Sequence, residues 1–243
     1  AGVFALRRAK ELVAHRVADE PRALGIEHAL RVFVTKEDPV GVAGGPKYIQ
    51  VSANPCPPAS GYNIGKPTAD IVTVSHSHEN HSYVKGVAGT PVVIERPGEY
   101  EIHGAFVTGV GTYHDSKKGA THGPNVSFVL EMEDIRVCHL GDLGHTPTPD
   151  QVEEMSGVGV LLVPVGGNTT IDGAAAAEVV SIIEPALVIP MHYGTEVTKN
   201  ELAPLDRFLK EMGAKELEPQ PKLTVSRSSL PHETQVVLLD YRR

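Results

Sequence analysis

The stretch Ile71-Val72-Thr73-Val74-Ser75-His76-Ser77-His78-Glu79-Asn80-His81 places three histidines within six positions, directly after an apolar run. A short β-branched run between polar segments predicts a buried strand. Imidazole is the commonest side-chain metal ligand near neutral pH. In an extended segment His76 and His78 point to the same side, and a helical turn would bring His81 towards them. The stretch therefore predicts a metal site at the carboxyl end of a strand.

Three further apolar runs end in a histidine or aspartate beside glycine or proline. They are followed by Gly111-Thr112-Tyr113-His114-Asp115, Leu140-Gly141-Asp142-Leu143-Gly144-His145 and Pro190-Met191-His192-Tyr193-Gly194. Four strand ends that bring ligands to one rim are typical of a catalytic metal centre. A structural zinc site would more often use cysteine pairs, and the chain has only 2 cysteines.

In this order the motifs resemble the metallo-β-lactamase superfamily. The residues of these motifs are most similar to those of its small single-domain metal-dependent hydrolase branch, which includes L-ascorbate-6-phosphate lactonase-like proteins. The resemblance covers roughly residues 69–240 and includes Pro97-Gly98-Glu99-Tyr100 and Val163-Pro164-Val165-Gly166-Gly167. It implies an α/β protein with a four-layer αββα sandwich and a metal-dependent hydrolase activity.

The resemblance also implies two adjacent metal positions bridged by Asp142, which would orient the nucleophile and act in catalysis with His192. The histidines divide between the two positions, with His76, His78 and His114 at the first and His81 and His192 at the second. The expected metal is zinc, as one or two ions, with manganese or iron as alternatives.

Two positions depart from the family pattern. The family has an aspartate directly before the last histidine of the first motif, where this chain has Asn80. A neutral amide oxygen is a weaker ligand than a carboxylate, so Asn80 is expected to bind weakly. Upstream, Asn54 stands where the family has the aspartate of an Asp-Pro pair. An alternative therefore stays open, namely a metal- or ligand-binding member with weakened or lost catalysis.

Five residues beside these motifs are candidates for supporting roles. Tyr193 could donate a hydrogen bond to a developing oxyanion, and His122 lies in a glycine-containing loop where it could contact substrate. Gly167 could present its backbone N–H to an anion, although a tight turn explains it equally well. His145 and Asp115 could hydrogen-bond to the metal ligands or serve as a helix cap or surface residues.

The expected reaction is hydrolysis of a lactone, ester, amide or phosphoester of a small molecule. A bound dication lowers the pKa of water to about 7, which supplies a metal-bound hydroxide. The net charge of −8 argues against nucleic-acid binding, so a nuclease is the weaker alternative. Two dications would offset the acidic charge locally, so an anionic substrate fits. A homo-oligomer is a further expectation.

Composition bounds the organisation of the chain. Its 243 residues predict one sizeable domain. Residues 1–24 are expected to form a helical extension before a hydrolase domain over residues 25–243, because apolar residues recur near helical spacing at Phe4, Leu6, Ala9, Leu12 and Val13. The charges of this segment do not suit a secretory signal, and no run is long enough for a membrane span. The few cysteines favour a reducing cytoplasm.

Two helix starts and one strand pair can also be predicted. Thr148 and Asp172 each precede a helix-forming run and are expected as N-caps. A third helix is expected over about residues 201–212, before Gly213. Residues 222–227 and 235–240 are expected to pair as closing antiparallel strands.

Overall fold

The computed structural model of the chain describes residues 12–15, 30–36, 47–62, 64–132, 135–198, 201–214 and 217–240. These residues form two β-sheets that lie face to face. The strands, in chain order, are β1 (Leu12–His15), β2 (Leu30–Lys36), β3 (Lys47–Ala53), β4 (Ile71–Thr73), β5 (Val92–Ile94), β6 (Gly98–Ile102), β7 (Ala105–Tyr113), β8 (Pro124–Met132), β9 (Ile135–His139), β10 (Val160–Pro164), β11 (Leu187–Met191), β12 (Lys222–Val225) and β13 (Gln235–Val236).

Strand direction places the ends of the motif-bearing strands together. The six-stranded sheet has the order β12-β1-β2-β3-β4-β5 and the seven-stranded sheet the order β13-β11-β10-β9-β8-β7-β6. In the second sheet β9, β10 and β11 run parallel. Strand β7 shares their direction because β8 is antiparallel to both β7 and β9. Strands β7, β9 and β11 therefore end at one edge of that sheet.

The space between the sheets is the larger apolar core. Buried side chains from both sheets fill it, among them Ile71, Phe128 and Leu162, each with 0% of its surface exposed. Along β10, Leu162 points into this core while Leu161 and Val163 point to the opposite face of the sheet. Burial on both faces explains why this strand is apolar without alternation.

A second core lies between the seven-stranded sheet and the helices. The helices are α1 (Pro149–Glu154), α2 (Gly173–Ile183) and α3 (Asp206–Glu211). The apolar face of α2 and Phe208 of α3 pack there with side chains from β8, β10 and β11. On the outer face of the six-stranded sheet, the described residues place Val84 of a 3-10 helix (Val84–Gly86) against Val72 and Val74. The predicted α/β sandwich is confirmed.

Both predicted N-caps are confirmed. The Thr148 side chain accepts the N–H of Gln151, and the Gln151 side chain accepts the N–H of Thr148, which forms a capping box. Asp172 accepts the N–H groups of two residues in the first turn of α2. Helix α3 begins at Asp206, later than expected. Pro204 explains the delay, because the residue before a proline is disfavoured in helical conformation.

The predicted N-terminal helix is wrong where the structure describes it. Residues Leu12–His15 form β1, which pairs antiparallel with β2 and with β12 inside the six-stranded sheet. Pairing on both sides satisfies the backbone of this segment, and such tertiary contacts override a weak helical pattern. The remaining residues of the expected extension lie outside the described residues.

The predicted closing strand pair is also wrong. Strand β12 pairs with β1 in one sheet, whereas β13 pairs parallel with β11 in the other. A 3-10 helix (Arg227–Ser229) starts the connection between them. Each segment covers an open sheet edge, which local pairing would have left exposed. Among the described residues, no helix has the length and apolar character needed to span a bilayer.

Candidate metal centre

The three histidines of the first motif lie on a short loop after β4. The loop closes through a turn in which the N–H of His81 donates to the carbonyl of His78 at 2.9 Å. The Ser82 hydroxyl donates to the same carbonyl at 2.9 Å. A turn, and not the first turn of a helix, therefore brings His81 towards the other two rings. The ring centroid of His76 lies 4.6 Å from that of His81 and 6.1 Å from that of His78.

The site centres on the carboxylate of Asp142, which follows β9. Its Oδ2 atom lies 3.1 Å from Nε2 of His114, 3.3 Å from Nε2 of His81 and 3.5 Å from Nε2 of His192. Nε2 of His76 is 3.9 Å away. Two ligands of a tetrahedral zinc ion at roughly 2.0–2.1 Å would lie about 3.3 Å apart. The spacing and the chemistry of these donor atoms therefore allow several of them to bind the same metal ion.

Three groups of side chains in this cluster have ligand atoms that all lie within 4.8 Å of one another. The groups are His76, His78 and His81, then His76, His114 and Asp142, then His81, Asp142 and His192. Asp142 belongs to two of them, as a residue bridging two ions would. All six residues predicted as principal metal ligands are thus brought together.

Burial controls the charge state of the centre. Burial lowers the pKa of His76 to about 4, which leaves a neutral ring with a lone pair at neutral pH. Burial alone would raise the pKa of the Asp142 carboxyl, but the nearby histidines, His81 and His192 foremost, hold it well below its usual range. The carboxylate is therefore ionised, and a buried anion of this kind is suited to a dication.

Comparison with known proteins gives this cluster a family. The sequence model of the beta-lactamase superfamily domain matches residues 45–192, from β3 to the last histidine of the cluster. The chain belongs to the metallo-β-lactamase superfamily. A solved structure from Thermotoga maritima, a candidate Zn-dependent hydrolase of this superfamily, is 35% identical, with a TM-score of 0.69 over 95% of this chain and 98% of that one.

Curated relatives in the superfamily carry the same kind of name. A UPF0173 metal-dependent hydrolase from Thermoplasma acidophilum is 29% identical over 150 residues, which is 52% of this chain and 66% of that protein. One from Anaeromyxobacter sp. is 30% identical over 179 residues, 59% of this chain and 65% of that protein. The chain thus spans just under two thirds of these relatives. The closer resemblance to ascorbate-phosphate lactonases stays a prediction.

Outer residues fix the rings and the carboxylate of this superfamily member. Nδ1 of His114 donates to the carbonyl of Thr169 at 2.8 Å, since a carbonyl can only accept. This leaves Nε2 of His114 to face Asp142. The Asp142 N–H donates to Oδ1 of Asn125 at 2.9 Å, and the Asn125 amide donates to the Leu140 carbonyl at 2.9 Å. The sequence does not predict these contacts of Thr169 and Asn125, because each joins segments that are distant in the chain.

His145 and Asp115, the two candidate partners of the metal ligands, hydrogen-bond to backbone N–H groups. Nε2 of His145 accepts the N–H of Tyr113 at 3.1 Å, and so holds the segment just before His114. Of the two alternatives for Asp115, a partner of a metal ligand or a cap or surface loop residue, the structure shows the second. Both of its carboxylate oxygens accept backbone N–H groups of the loop that follows, at 2.7–3.0 Å, from Lys117, Gly119, Thr121 and His122. These bonds lower the pKa of Asp115 to about 2, the one from His122 most strongly.

Asp115→Ala is expected to open this loop without unfolding the sandwich. The substitution removes the acceptor of four backbone N–H groups, which lie on an exposed segment. Hydrogen exchange at residues 117, 119, 121 and 122 should become faster, while exchange in β10 should not change. Equal rates in the variant and the parent chain would show that the glycines alone hold the loop.

The three predicted substrate contacts have different surroundings. His122 lines a cavity of about 780 Å³ beside His76, and its ring centroid lies 5.4 Å from that of His114. Tyr193 is buried in the core beneath the helices and does not line this cavity. The N–H of Gly167 donates to a carbonyl four residues on, at 3.2 Å, and its φ is 65°. A tight turn therefore accounts for Gly167, and its N–H is not presented to an anion.

Asn80 lies at the edge of the cluster and is partly exposed. Its backbone N–H donates to Nδ1 of His78 at 3.3 Å. Whether its amide oxygen binds a metal stays a prediction. Glu79 beside it is exposed.

Gly166→Ala is expected to displace the last histidine of the cluster. A Cβ at this position would overlap the carbonyl oxygen of His192 and lie 3.0 Å from the Cα of Tyr193. Both of these contacts are backbone atoms, so the strand end must move. Overpacking of this kind costs about 1–3 kcal/mol. Chemical denaturation should show the loss of stability, and metal content should fall with it. Gly213→Ala is the control. Its φ of 63° makes alanine strained there, whereas no atom lies within 4 Å of the new Cβ. This variant should therefore lose stability without displacing a metal ligand.

Proposed function

We propose that the protein is a metal-dependent hydrolase that acts on a small molecule. The observation that carries the proposal is the convergence of four Nε2 atoms on the buried carboxylate of Asp142 at the ends of strands from both sheets. The names of the curated relatives and of the Thermotoga maritima structure support it. The donor set is rich in imidazole, so zinc is the proposed metal, as one or two ions, with manganese or iron as alternatives.

The residues of the centre divide the work in this proposal. His76, His78 and His114 would hold the first ion, and His81 and His192 the second, with Asp142 between them. A dication bound there supplies an activated water near neutral pH and polarises the oxygen of the scissile group. Asn125 holds the backbone of Asp142 in place, and Thr169 holds the ring of His114. Such outer contacts keep the ligands in the orientation that the reaction needs.

The cavity beside His76 supports a small substrate. Its volume of about 780 Å³ lies in the range of small-molecule sites. Arg96 and His122 line it and could bind an anionic group, and Glu95 lines it as well. The proposed substrate is therefore a lactone, ester, amide or phosphoester of a small molecule. If Arg96 binds it, the substrate has an anionic group. A cytoplasmic setting and a homo-oligomeric state remain proposals.

The alternative is a member of the superfamily that binds a metal or ligand without turnover. Asn80 and Asn54 favour it, because each is a neutral amide where the family pattern has an aspartate. The two functions differ in metal content and in sensitivity to chelator. A nuclease is disfavoured by the net charge of −8.

Metal content and turnover of the full chain test the proposal together. The measurement is metal per chain by plasma mass spectrometry, for the parent chain and for Asn80→Asp. A panel of a lactone, an ester and bis-p-nitrophenyl phosphate is assayed in parallel, with and without chelator. Bound metal with chelator-sensitive turnover in the parent chain would support the hydrolase.

The opposite result would support the alternative. One metal or fewer per parent chain, no turnover, and more metal in Asn80→Asp would mean that the protein has lost hydrolytic function. Asn168→Asp is the matched control, because it makes the same chemical change on an exposed loop residue.

A further inference from the structure

Residues 54–62, which follow β3, contact both of the chain segments that carry the proposed ligands of the second metal position. At their beginning they contact the segment of the first motif. The N–H of Tyr83, two residues after His81, donates to the carbonyl of Pro55 at 2.8 Å. The position of His81 is therefore linked to the start of this stretch.

The end of the same stretch contacts the segment that follows His192. Tyr62 is 1% exposed, and its hydroxyl oxygen lies 2.6 Å from Oγ1 of Thr195 and 2.8 Å from Oγ1 of Thr198. The two threonine oxygens lie 2.7 Å apart, so the three hydroxyl groups form a closed triangle in which each can donate to the next. The N–H of Thr195 also donates to Oγ1 of Thr198 at 3.0 Å. Residues 195–198 are thus held as a turn against Tyr62.

The backbone of His192 has a conformation that depends on restraint from both sides. Its φ is 54°, in the left-handed region, and the residue is buried. For a residue other than glycine this conformation is unfavourable and persists only where the surrounding structure holds it. Strand β11 ends at Met191 and holds the chain before His192. After His192, the N–H of Gly194 donates to the carbonyl of Ala203 at 2.9 Å, and the turn bonded to Tyr62 comes next.

The two ligand segments belong to different sheets. His81 lies in the loop after β4 of the six-stranded sheet, and His192 follows β11 of the seven-stranded sheet. Their ring centroids lie 6.0 Å apart, and their Nε2 atoms lie 3.3 Å and 3.5 Å from Oδ2 of Asp142. Because nitrogen ligands lie about 2.0–2.1 Å from zinc, separation of the two segments would move one ring out of reach of an ion bound to the other.

We infer that Tyr62 is a positioning residue for the second metal position. The inference rests on the proposed metal centre. The Tyr62 hydroxyl holds the segment of His192, and the stretch that carries Tyr62 is bonded to the segment of His81. Without this hydroxyl, the turn at residues 195–198 loses a bond to the other half of the sandwich. His192 then relaxes more easily from its left-handed conformation, and its ring moves away from His81.

Tyr62→Phe removes the hydroxyl and keeps the ring, which packs with Cys56 and Ile64. The second ion should bind about tenfold to a hundredfold more weakly, the usual effect of losing an outer contact of a metal ligand. The first ion should keep its affinity, because none of its proposed histidines lies in the segment that Tyr62 holds. Tyr100→Phe is the matched control, since it removes a hydroxyl that donates to the carbonyl of Arg96 on the edge strand β6. It should change neither affinity.

The measurement is a titration of the metal-free, full-length chain with Zn²⁺ against a chelator of known affinity. Equal second-ion affinity in the parent chain and Tyr62→Phe would overturn the inference and leave the proposed hydrolase intact. A parent chain that binds only one ion would also overturn it, because there would be no second position to hold. If the parent chain bound no ion, the proposed function would fail together with the inference.

Two substitutions at Thr195 repeat the test from the other side of the contact, in case Tyr62→Phe does not fold. Thr195→Val removes the hydroxyl and should weaken the second ion as Tyr62→Phe does, whereas Thr195→Ser keeps the hydroxyl and should bind both ions like the parent chain. Thermal unfolding shows whether each variant is folded. An equal loss of the second ion in the serine and valine variants would mean that the hydroxyl has no part in it, and would overturn the inference.

Hydrogen exchange of the metal-free protein reads the position of the segment directly. Exchange at the N–H of Gly194 should become faster in Tyr62→Phe and Thr195→Val and stay unchanged in Thr195→Ser and Tyr100→Phe. Unchanged exchange at Gly194 in both Tyr62→Phe and Thr195→Val would show that other contacts hold the segment of His192, and would overturn the inference.

Discussion

Asp142→Asn is expected to lower hydrolytic turnover by about a hundredfold to a thousandfold, the usual effect of removing a buried electrostatic group from an active site. The Asp142 carboxylate lies within 3.9 Å of four histidine Nε2 atoms. An amide there has no charge to offset two dications, and its NH₂ group would compete with the ions for the lone pairs of the histidines. Metal content should therefore fall together with turnover.

Plasma mass spectrometry and the substrate panel measure both effects. Asp172→Asn is the matched control, because it removes the same charge from an exposed N-cap of α2 where asparagine caps equally well. The control should keep its metal and its turnover. Full metal content in Asp142→Asn would show that the histidines alone hold the ions and that the carboxylate does not bridge them.

Phe128→Ala is expected to lower the free energy of unfolding by about 3–5 kcal/mol. The Phe128 ring is completely buried between the two sheets, in the middle of β8. Its removal leaves a cavity that residues of two rigid sheets cannot fill. Urea denaturation followed by circular dichroism measures the loss as a lower midpoint at constant slope.

Phe106→Ala makes the same substitution on the neighbouring strand as a control. The Phe106 side chain is 54% exposed, so the expected change is within about 0.5 kcal/mol. A comparable loss in both variants would mean that Phe106 is covered in solution, for example by a second copy of the chain. A small loss in Phe128→Ala would mean that the sheets close over the cavity.

Local sequence patterns predicted the parts of the site that lie next to their own strands. His76, His114, Asp142 and His192 each follow an apolar run, so their place at a strand end could be inferred from alternation and length. The structure brings all four together. The residues behind them could not be inferred in this way, because Thr169 reaches His114 across 55 positions of the chain. No local pattern records a contact of that separation.

The same limit explains why parts of the fold were predicted wrongly. The segment around Leu12 has a weak helical spacing, but its partners in β2 and β12 lie 18 or more positions away and decide that it is a strand. Asp115 shows the limit at a single residue. Its position after His114 suggests a partner for a ligand, whereas its oxygens accept the N–H groups of four of the next seven residues in its own loop.

The cluster takes its ligands from both halves of the sandwich. The loop after β4 belongs to the six-stranded sheet, and Asp142, His114 and His192 follow strands of the seven-stranded sheet. Beside the cluster, the carbonyl of Ser75 accepts the N–H of Val126 at 2.9 Å and joins the two sheets directly. An ion held here would act as a clasp across the open end of the molecule. Its binding free energy would add to the stability of the folded protein against separation of the two sheets. Loss of the ion would therefore lower stability as well as activity.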